Sequence, residues 1–223
     1  CVDARVPIVI TSLGARPEVN DAVHGYGGLV LHDVTDDRFA RKAIEKGADG
    51  LIAVAAGAGG HAGALSPFAL VGEIRRWFDG PLALAGAIAT GEGVLAAEAM
   101  GADLAHVGSP FIATPEARAD PAYRTMIVEG TAADIVNTDH FSGIAANYLE
   151  ASVRAAGFDP AALPATRREL DLSGDGDGPR AWRDIWSAGQ GIGAVDAVEP
   201  AGARIAAFAA AYDRARRRLC GSG

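Results

Sequence analysis

Short apolar runs, separated by stretches with helical periodicity, recur through the first half of the chain. The runs occupy positions 6–10, 28–31, 50–54, 82–85 and 104–107, and helical periodicity is found at 38–46, 68–77 and 94–100. Strands that alternate with helices form parallel βαβ units. A strand that is covered on both faces of its sheet is apolar along its whole length, as these runs nearly are. The alternation therefore predicts an α/β fold built on a parallel sheet.

The second half of the chain has helical patterns but no comparable series of apolar runs. These patterns cover positions 116–129, 143–156 and 201–218. The loop before the last one contains DGDG at 175–178, which lacks the carboxylate spacing and the closing glutamate of a calcium loop. We therefore expect a mainly helical segment after residue 112, and no metal site.

Composition and charge argue against several classes of partner. The 223 residues carry a formal net charge of −8 and contain no basic stripe with interleaved aromatic residues, so neither nucleic acid nor an anionic membrane is an expected partner. The two cysteines, Cys1 and Cys220, lie at opposite ends of the sequence without any metal-binding spacing. No apolar run reaches the length of a membrane span. We expect a cytoplasmic protein that acts on a small molecule, and we leave homo-oligomer formation open.

Three of the predicted strands run into turns made of small residues. GAGGHAG follows the run at 50–54, GAIATGEG follows the run at 82–85, and GSPF follows the run at 104–107. Backbone N–H groups at the start of a helix have no internal acceptor and bind phosphate well. In (β/α)8 barrels, the common phosphate site is built from the loops after strands seven and eight. The turns at Gly86 and Gly108 match that arrangement, and together with the histidine turn they indicate phosphate or flavin binding.

This assignment determines how the strands are counted. If Gly86 and Gly108 follow strands seven and eight, the run at 6–10 is strand four of a TIM (β/α)8 barrel. The chain is then expected to contain the last five βα units, while the first three strands are missing from it. Residues 1–112 would form this C-terminal part of the barrel, and residues 113–223 a helical elaboration packed on it.

The motifs resemble the nitronate monooxygenase family, formerly called 2-nitropropane dioxygenases. The resemblance is carried by GADGLIAVAAGAGGHAG, by PLALAGAIATGEGVLAAEAMGADLAHVGSPFIATPEA and by IWSAGQGIGAV. A Gly-Gly-His turn followed one strand later by an Ala-Gly-x-Ile turn is shared with close relatives that include the flavin-dependent enoyl-ACP reductases. The resemblance implies a TIM barrel that holds FMN without a covalent bond at its C-terminal face.

The resemblance also implies roles for individual residues. His61 matches the family's active-site histidine, which handles the α-proton of the substrate beside the flavin. The implied cofactor-binding residues are Gly59 and Gly60 beside the flavin, Gly86, Ala87, Gly108 and Ser109 at its phosphate, Gln190 in a C-terminal motif, and His32 where relatives have lysine. For His32, a cap on the following turn is an equal alternative. Ala87 stands where the family usually has a second glycine.

The expected function is FMN-dependent oxidation of alkyl nitronates or nitroalkanes by O2. His61 would act as the base, since the pKa of an imidazole lies near neutral pH. Two alternatives stay open at this point. One is an NAD(P)H-dependent reductase of quinones or enoyl thioesters on the same scaffold, and the other is a barrel that binds flavin or phosphate without turnover.

Overall fold

The structure, a computed structural model, describes residues 1–164 and 179–221. Its strands are β1 (Ile8–Thr11), β2 (Leu29–Val34), β3 (Gly50–Val54), β4 (Gly60–His61), β5 (Leu82–Ala85), β6 (Leu104–His106), β7 (Ile135–Thr138) and β8 (Ala146–Leu149). Its helices are α1 (Pro17–His24), α2 (Asp37–Glu45), α3 (Pro67–Arg75), α4 (Gly91–Ala99), α5 (Ser109–Ile112), α6 (Pro121–Glu129), α7 (Glu150–Ala155) and α8 (Ala201–Cys220). Short 3₁₀ helices lie at Ala132–Asp134, Pro160–Ala162 and Gln190–Ala194. The DGDG sequence at 175–178 lies outside the described residues.

Five strands form one parallel sheet, in the order β1-β2-β3-β5-β6. All five apolar runs predicted as strands are present; the bounds of β3 and β5 equal the prediction, and those of the other three differ from it by at most three residues. Sheet neighbours follow each other in the chain with helices between them, as in part of a (β/α)8 barrel. The prediction of parallel βα units is confirmed.

The chain divides into two compact units by its internal contacts. The first consists of residues 1–56, 63–85 and 96–106, and the second of residues 57–62, 86–95 and 107–223. The five-stranded sheet belongs to the first unit, where β3 and β5 are buried along their whole length. The expected boundary at residue 112 stays a prediction. In the described part of the chain, no helix is both long enough and apolar enough to cross a membrane.

A Gly-Ala-Asp sequence ends two of the βα units in the same way. Asp49 accepts a hydrogen bond from the backbone N–H of Val30 at 2.7 Å, and Asp103 accepts one from Leu82 at 2.8 Å. The glycine two residues before each aspartate has a φ of +93° or +106°, a region that glycine enters without steric cost. Each turn thereby ends a helix and places a carboxylate on the neighbouring strand.

The second unit contains a three-stranded sheet in the order β4-β8-β7, in which both pairings are antiparallel. The helix predicted at 143–156 is therefore wrong for its first half, because residues 146–149 form β8 and the helix begins only at Glu150. Tertiary contacts overrode the helical propensity of the alanines. Tyr148 is fully buried against Phe141, and the Asn147 side chain donates to the carbonyl of Ala58 at 2.6 Å.

Two other helices of this unit, α6 and α8, can be compared with the helices predicted from the sequence. The helix predicted from residue 116 begins at Pro121, because Asp120 caps it by accepting from the N–H of Ala122 and proline favours the first helical position. The long C-terminal helix is confirmed as α8.

Candidate active site

The glycine turn around His61 is held by strand pairing in the second unit. β4 pairs with β8, so that Gly60 lies opposite Asn147 and His61 lies opposite Ala146. Gly57 and Gly60 have φ values of +86° and +72°, which is left-handed backbone that side chains rarely adopt. The turn is thus an ordered segment with a short strand at its end.

Two other turns meet this segment at the carbonyl of Gly57. That oxygen accepts from the N–H of Ala87 at 3.2 Å and from the N–H of Gln190 at 2.9 Å. A Cβ on residue 57 would lie 2.9 Å from Oε1 of Gln190 and 3.2 Å from the Cβ of Ala87. Only glycine lets the three turns approach this closely.

The turn before α5 also contacts these turns, and the four together form one cluster. Ser109 Oγ accepts from the N–H of Gly189 at 2.8 Å. Gly189 in turn packs on the histidine turn, since a Cβ on Gly59 would lie 2.8 Å from its nitrogen. The structure therefore gathers in one unit the predicted residues Gly59, Gly60, His61, Gly86, Ala87, Gly108, Ser109 and Gln190.

The N–H groups expected to bind phosphate differ in their availability. The N–H of Ala87 is used by the carbonyl of Gly57, so that donor is not free for a ligand. Within the described residues, the N–H groups of Gly86, Gly108 and Ser109 have no protein acceptor. The start of α5 has no side-chain cap, and a Cβ on Gly108 would meet no atom within 4 Å. The Gly108–Ser109 turn thus leaves donors and open space for an anion.

His61 has a defined environment on two sides. Its Nε2 lies 3.2 Å from Oγ of Ser142, and its ring meets the indole of Trp182 edge-on, with a centroid distance of 5.0 Å. Burial lowers the pKa of His61 below its ordinary value, because a partly desolvated imidazole disfavours the charged form. The lowered pKa favours the neutral ring, which can accept a proton.

Sequence reasoning missed three residues that shape this environment, which are Ser142, Asn147 and Trp182. Ser142 and Asn147 are far from His61 in sequence, and Asn147 lies in the segment that was predicted to be helical. Trp182 lies three residues before the first residue of the motif IWSAGQGIGAV, so a motif that began three residues earlier would have included it.

His32 belongs to the first unit, whereas the residues of this cluster belong to the second. It is only 4% exposed, and its Nδ1 lies 2.6 Å from Oγ1 of Thr11 on the adjacent strand. Burial, together with the positive charge of Lys46, lowers the pKa of His32. That hydrogen bond is made to β1, and both roles expected of His32, contact with the cofactor and a cap on the following turn, stay predictions.

Comparison with known proteins identifies the family of this chain. The model described as Nitronate monooxygenase matches residues 1–203. The chain belongs to the nitronate monooxygenase family. Among relatives, it is 32% identical over 143 residues to a nitronate monooxygenase from Paraburkholderia phytofirmans, covering 60% of this chain and 39% of that protein. It is 30% identical over 212 residues to a nitronate monooxygenase from Neurospora crassa, covering 85% of this chain and 55% of that protein.

Solved structures of similar proteins agree with this family assignment. FabK from Thermotoga maritima is 27% identical with a TM-score of 0.80, covering 99% of this chain and 72% of that one. A nitroalkane oxidase from Streptomyces ansochromogenes is 26% identical with a TM-score of 0.75, covering 98% of this chain and 67% of that one. The expected fold class, part of an α/β barrel, is confirmed. This member of the nitronate monooxygenase family spans between about two fifths and just over half of the length of the curated relatives named above.

Proposed function

We propose that this protein is a flavin-dependent oxidoreductase that oxidises alkyl nitronates or nitroalkanes with O2, with FMN as its cofactor and His61 as its base. The observation that carries the proposal is a half-buried His61 that directly follows the exposed Gly59 and the half-buried Gly60. A cytoplasmic location and a small-molecule substrate are parts of the same proposal. Membership of the nitronate monooxygenase family supports it.

The residues of the cluster fit a flavin. A Cβ on Gly60 would meet only Nε1 of Trp182, at 3.8 Å, so a flat ring can lie against this backbone. The free N–H groups of Gly86, Gly108 and Ser109 would hold the phosphate. When bound, the flavin would supply the redox chemistry, accepting electrons from the substrate and passing them to O2.

His61 would accept the α-proton of a neutral nitroalkane. Its lowered pKa favours the unprotonated ring, which is the state that a general base needs before it reacts. Protonation of the ring by solvent would remove this capacity, so activity on a neutral nitroalkane should fall as the pH drops through the lowered pKa. A preformed nitronate has already lost this proton and needs no base.

The substitution His61→Asn tests this role. We expect the purified protein to keep its flavin, measured by its visible spectrum, while turnover of a neutral nitroalkane falls about 10²-fold or more, the usual scale for a lost general base. Turnover of the matching nitronate should fall much less. Equal losses on both substrates would mean that His61 binds or orients the substrate instead of taking its proton.

A reductase on the same scaffold is the second candidate. It is favoured by the Gly-Gly-His turn, which the sequence shares with flavin-dependent enoyl-ACP reductases. Anaerobic mixing separates the candidates: bleaching of the flavin by a nitronate supports the oxidase, and bleaching by NAD(P)H alone supports a reductase of quinones or enoyl thioesters. No bleaching by either would leave a flavin-binding barrel without turnover.

A further inference from the structure

We propose that Ser142 is a positioning residue that holds His61 in the tautomer with its proton on Nε2, so that Nδ1 is the nitrogen that takes the substrate proton. This inference rests on the proposed function for its chemical meaning. The hydrogen-bond geometry that carries it belongs to the protein alone.

The hydroxyl of Ser142 has one hydrogen and two lone pairs. It donates its hydrogen to the carbonyl of Ile144 at 3.0 Å. Because that carbonyl can only accept, the hydrogen is not available to His61. The contact of 3.2 Å between Ser142 Oγ and His61 Nε2 therefore requires that Nε2 be the donor.

Tyr148 occupies the other lone pair of Ser142. Its hydroxyl donates to Ser142 Oγ at 3.5 Å, and the tyrosine side chain is fully buried. Burial raises the pKa of Tyr148, so this phenol stays protonated and remains a donor. With one bond donated and two accepted, the Ser142 hydroxyl has no lone pair left for a second arrangement.

The orientation of the ring follows from the same contact. Rotation of the imidazole by 180° about its Cβ–Cγ bond would place Cε1 where Nε2 now lies, and the bond to Ser142 would be lost. Ser142 is 3% exposed, so water does not compete well for its oxygen. A neutral ring whose Nε2 carries the proton has Nδ1 as its only basic site.

The tautomer also serves the proton transfer. When Nδ1 takes a proton the ring becomes a cation, and the Nε2–H bond to Ser142 becomes charge-assisted and stronger. The hydroxyl therefore stabilises the product of proton abstraction more than the resting state. This is the differential stabilisation that lowers a barrier.

Nitrogen-15 NMR of the purified protein reads the tautomer directly, without any need for turnover. The chain has five histidines, and loss of signals in His61→Asn assigns those of His61. We expect Nε2 to have the shift of a protonated nitrogen and Nδ1 that of an unprotonated one. In Ser142→Ala, we expect a mixture of tautomers and loss of the Nε2 proton signal through exchange with water.

Two further variants test whether the effect is specific to the hydroxyl of Ser142: a control at Ser152 and a rescue at Ser142. Ser152 is also a buried serine, but its hydroxyl accepts from the N–H of Trp186, so Ser152→Ala should leave the His61 signals unchanged. Ser142→Thr keeps a hydroxyl and should restore the wild-type tautomer. For a neutral nitroalkane, Ser142→Ala should lower kcat about 10-fold with little change in KM, the scale of one charge-assisted hydrogen bond.

Two results would overturn the proposal. One is a wild-type spectrum with the proton on Nδ1, which needs no variant to fold. The other is a Ser142→Ala spectrum in which the His61 signals equal those of the wild type. If the tautomer is as expected but nitroalkanes are not turned over, the positioning role stands and the proposed substrate is wrong.

Discussion

Backbone strain lies at two of the residues that form the candidate site. Within the described residues, four that are not glycine have a positive φ, and Ala87 at +55° and Trp182 at +64° are two of them. Such conformations cost about 1–3 kcal/mol and persist where the surroundings impose them. Ala87 is held by its bond to Gly57, and Trp182 by a bond from its N–H to the carbonyl of Ile185 at 2.8 Å. At position 87, a side chain is thus held in a backbone conformation that glycine would adopt without steric cost.

The strain at Trp182 predicts an unusual order of stability for two variants. We expect Trp182→Gly to be more stable than Trp182→Ala by about 1 kcal/mol, because glycine adopts a positive φ without steric cost. Urea denaturation followed by circular dichroism measures the difference. Arg183, the next residue, has no positive φ, and there the ordinary order should hold, with the alanine variant more stable than the glycine variant. If alanine were also the more stable choice at position 182, the strain would be absent.

At the scale of elements, the repeated Gly-Ala-Asp turns join neighbouring strands of the parallel sheet. Asp103 accepts from the N–H of Leu82 on β5 and from the guanidinium of Arg75 at 2.6 Å. These bonds, that to Leu82 first, lower the pKa of Asp103. A carboxylate with a lowered pKa stabilises the fold above its unfolded pKa, and this stabilisation is lost as the pH falls through the folded pKa.

Substitution of Asp103 tests whether the charge of its carboxylate stabilises the fold. Asp103→Asn should lower the free energy of unfolding at pH 7 by about 1 kcal/mol, since the side chain is partly exposed and its charge is screened. The difference from the wild type should shrink as the pH is lowered into the range where Asp103 protonates. Asp213→Asn is the control, because the Asp213 side chain is exposed to a similar extent but lies 3.8 Å from Arg216, beyond hydrogen-bond distance; its effect should be within about 0.5 kcal/mol. A pH-independent loss at position 103 would contradict the role of its charge.

At the scale of the whole molecule, the candidate site depends on turns that are distant in the sequence. The carbonyl of Gly57 receives hydrogen bonds from residues 87 and 190, and Ser109 receives one from residue 189. A ligand that binds several of these turns binds only the folded chain. Such a ligand stabilises the fold in proportion to the logarithm of its concentration over Kd.

FMN and riboflavin differ only in the phosphate, so together they test the phosphate site. We expect FMN to bind roughly 100-fold more tightly than riboflavin and to raise the Tm more at equal concentration, because charged hydrogen bonds contribute about 1.5–3 kcal/mol each. Gly108→Glu should weaken FMN binding about 10-fold or more by placing a negative charge beside the phosphate, with little effect on riboflavin. Gly108→Ala is the matched control, because a Cβ there meets no atom within 4 Å. Equal affinities for the two flavins would contradict a phosphate site at this turn.

Much of the fold could be predicted from the sequence, because its signals are local. The five parallel strands follow from apolar runs at regular spacing, and α8 follows from its periodicity. The start of α6 could also be read from Asp120 and Pro121, although the periodicity alone placed it too early. β8 could not be predicted, since Ala146 and the alanines that flank the strand favour a helix until β4 and β7 pair with it.

The candidate site also combines features that the sequence predicts with contacts that only the structure shows. The sequence by itself determined which turns are rich in glycine and where a titratable ring stands among them, because glycine and histidine have these properties in any fold. Only the tertiary structure decided that Ser142, 81 residues from His61, lies against its Nε2, and that the N–H of Ala87 is used by Gly57. Hydrogen-bond partners depend on distances between segments that are far apart in the chain. No local pattern encodes those distances, and they are set when the strands pair and the turns pack.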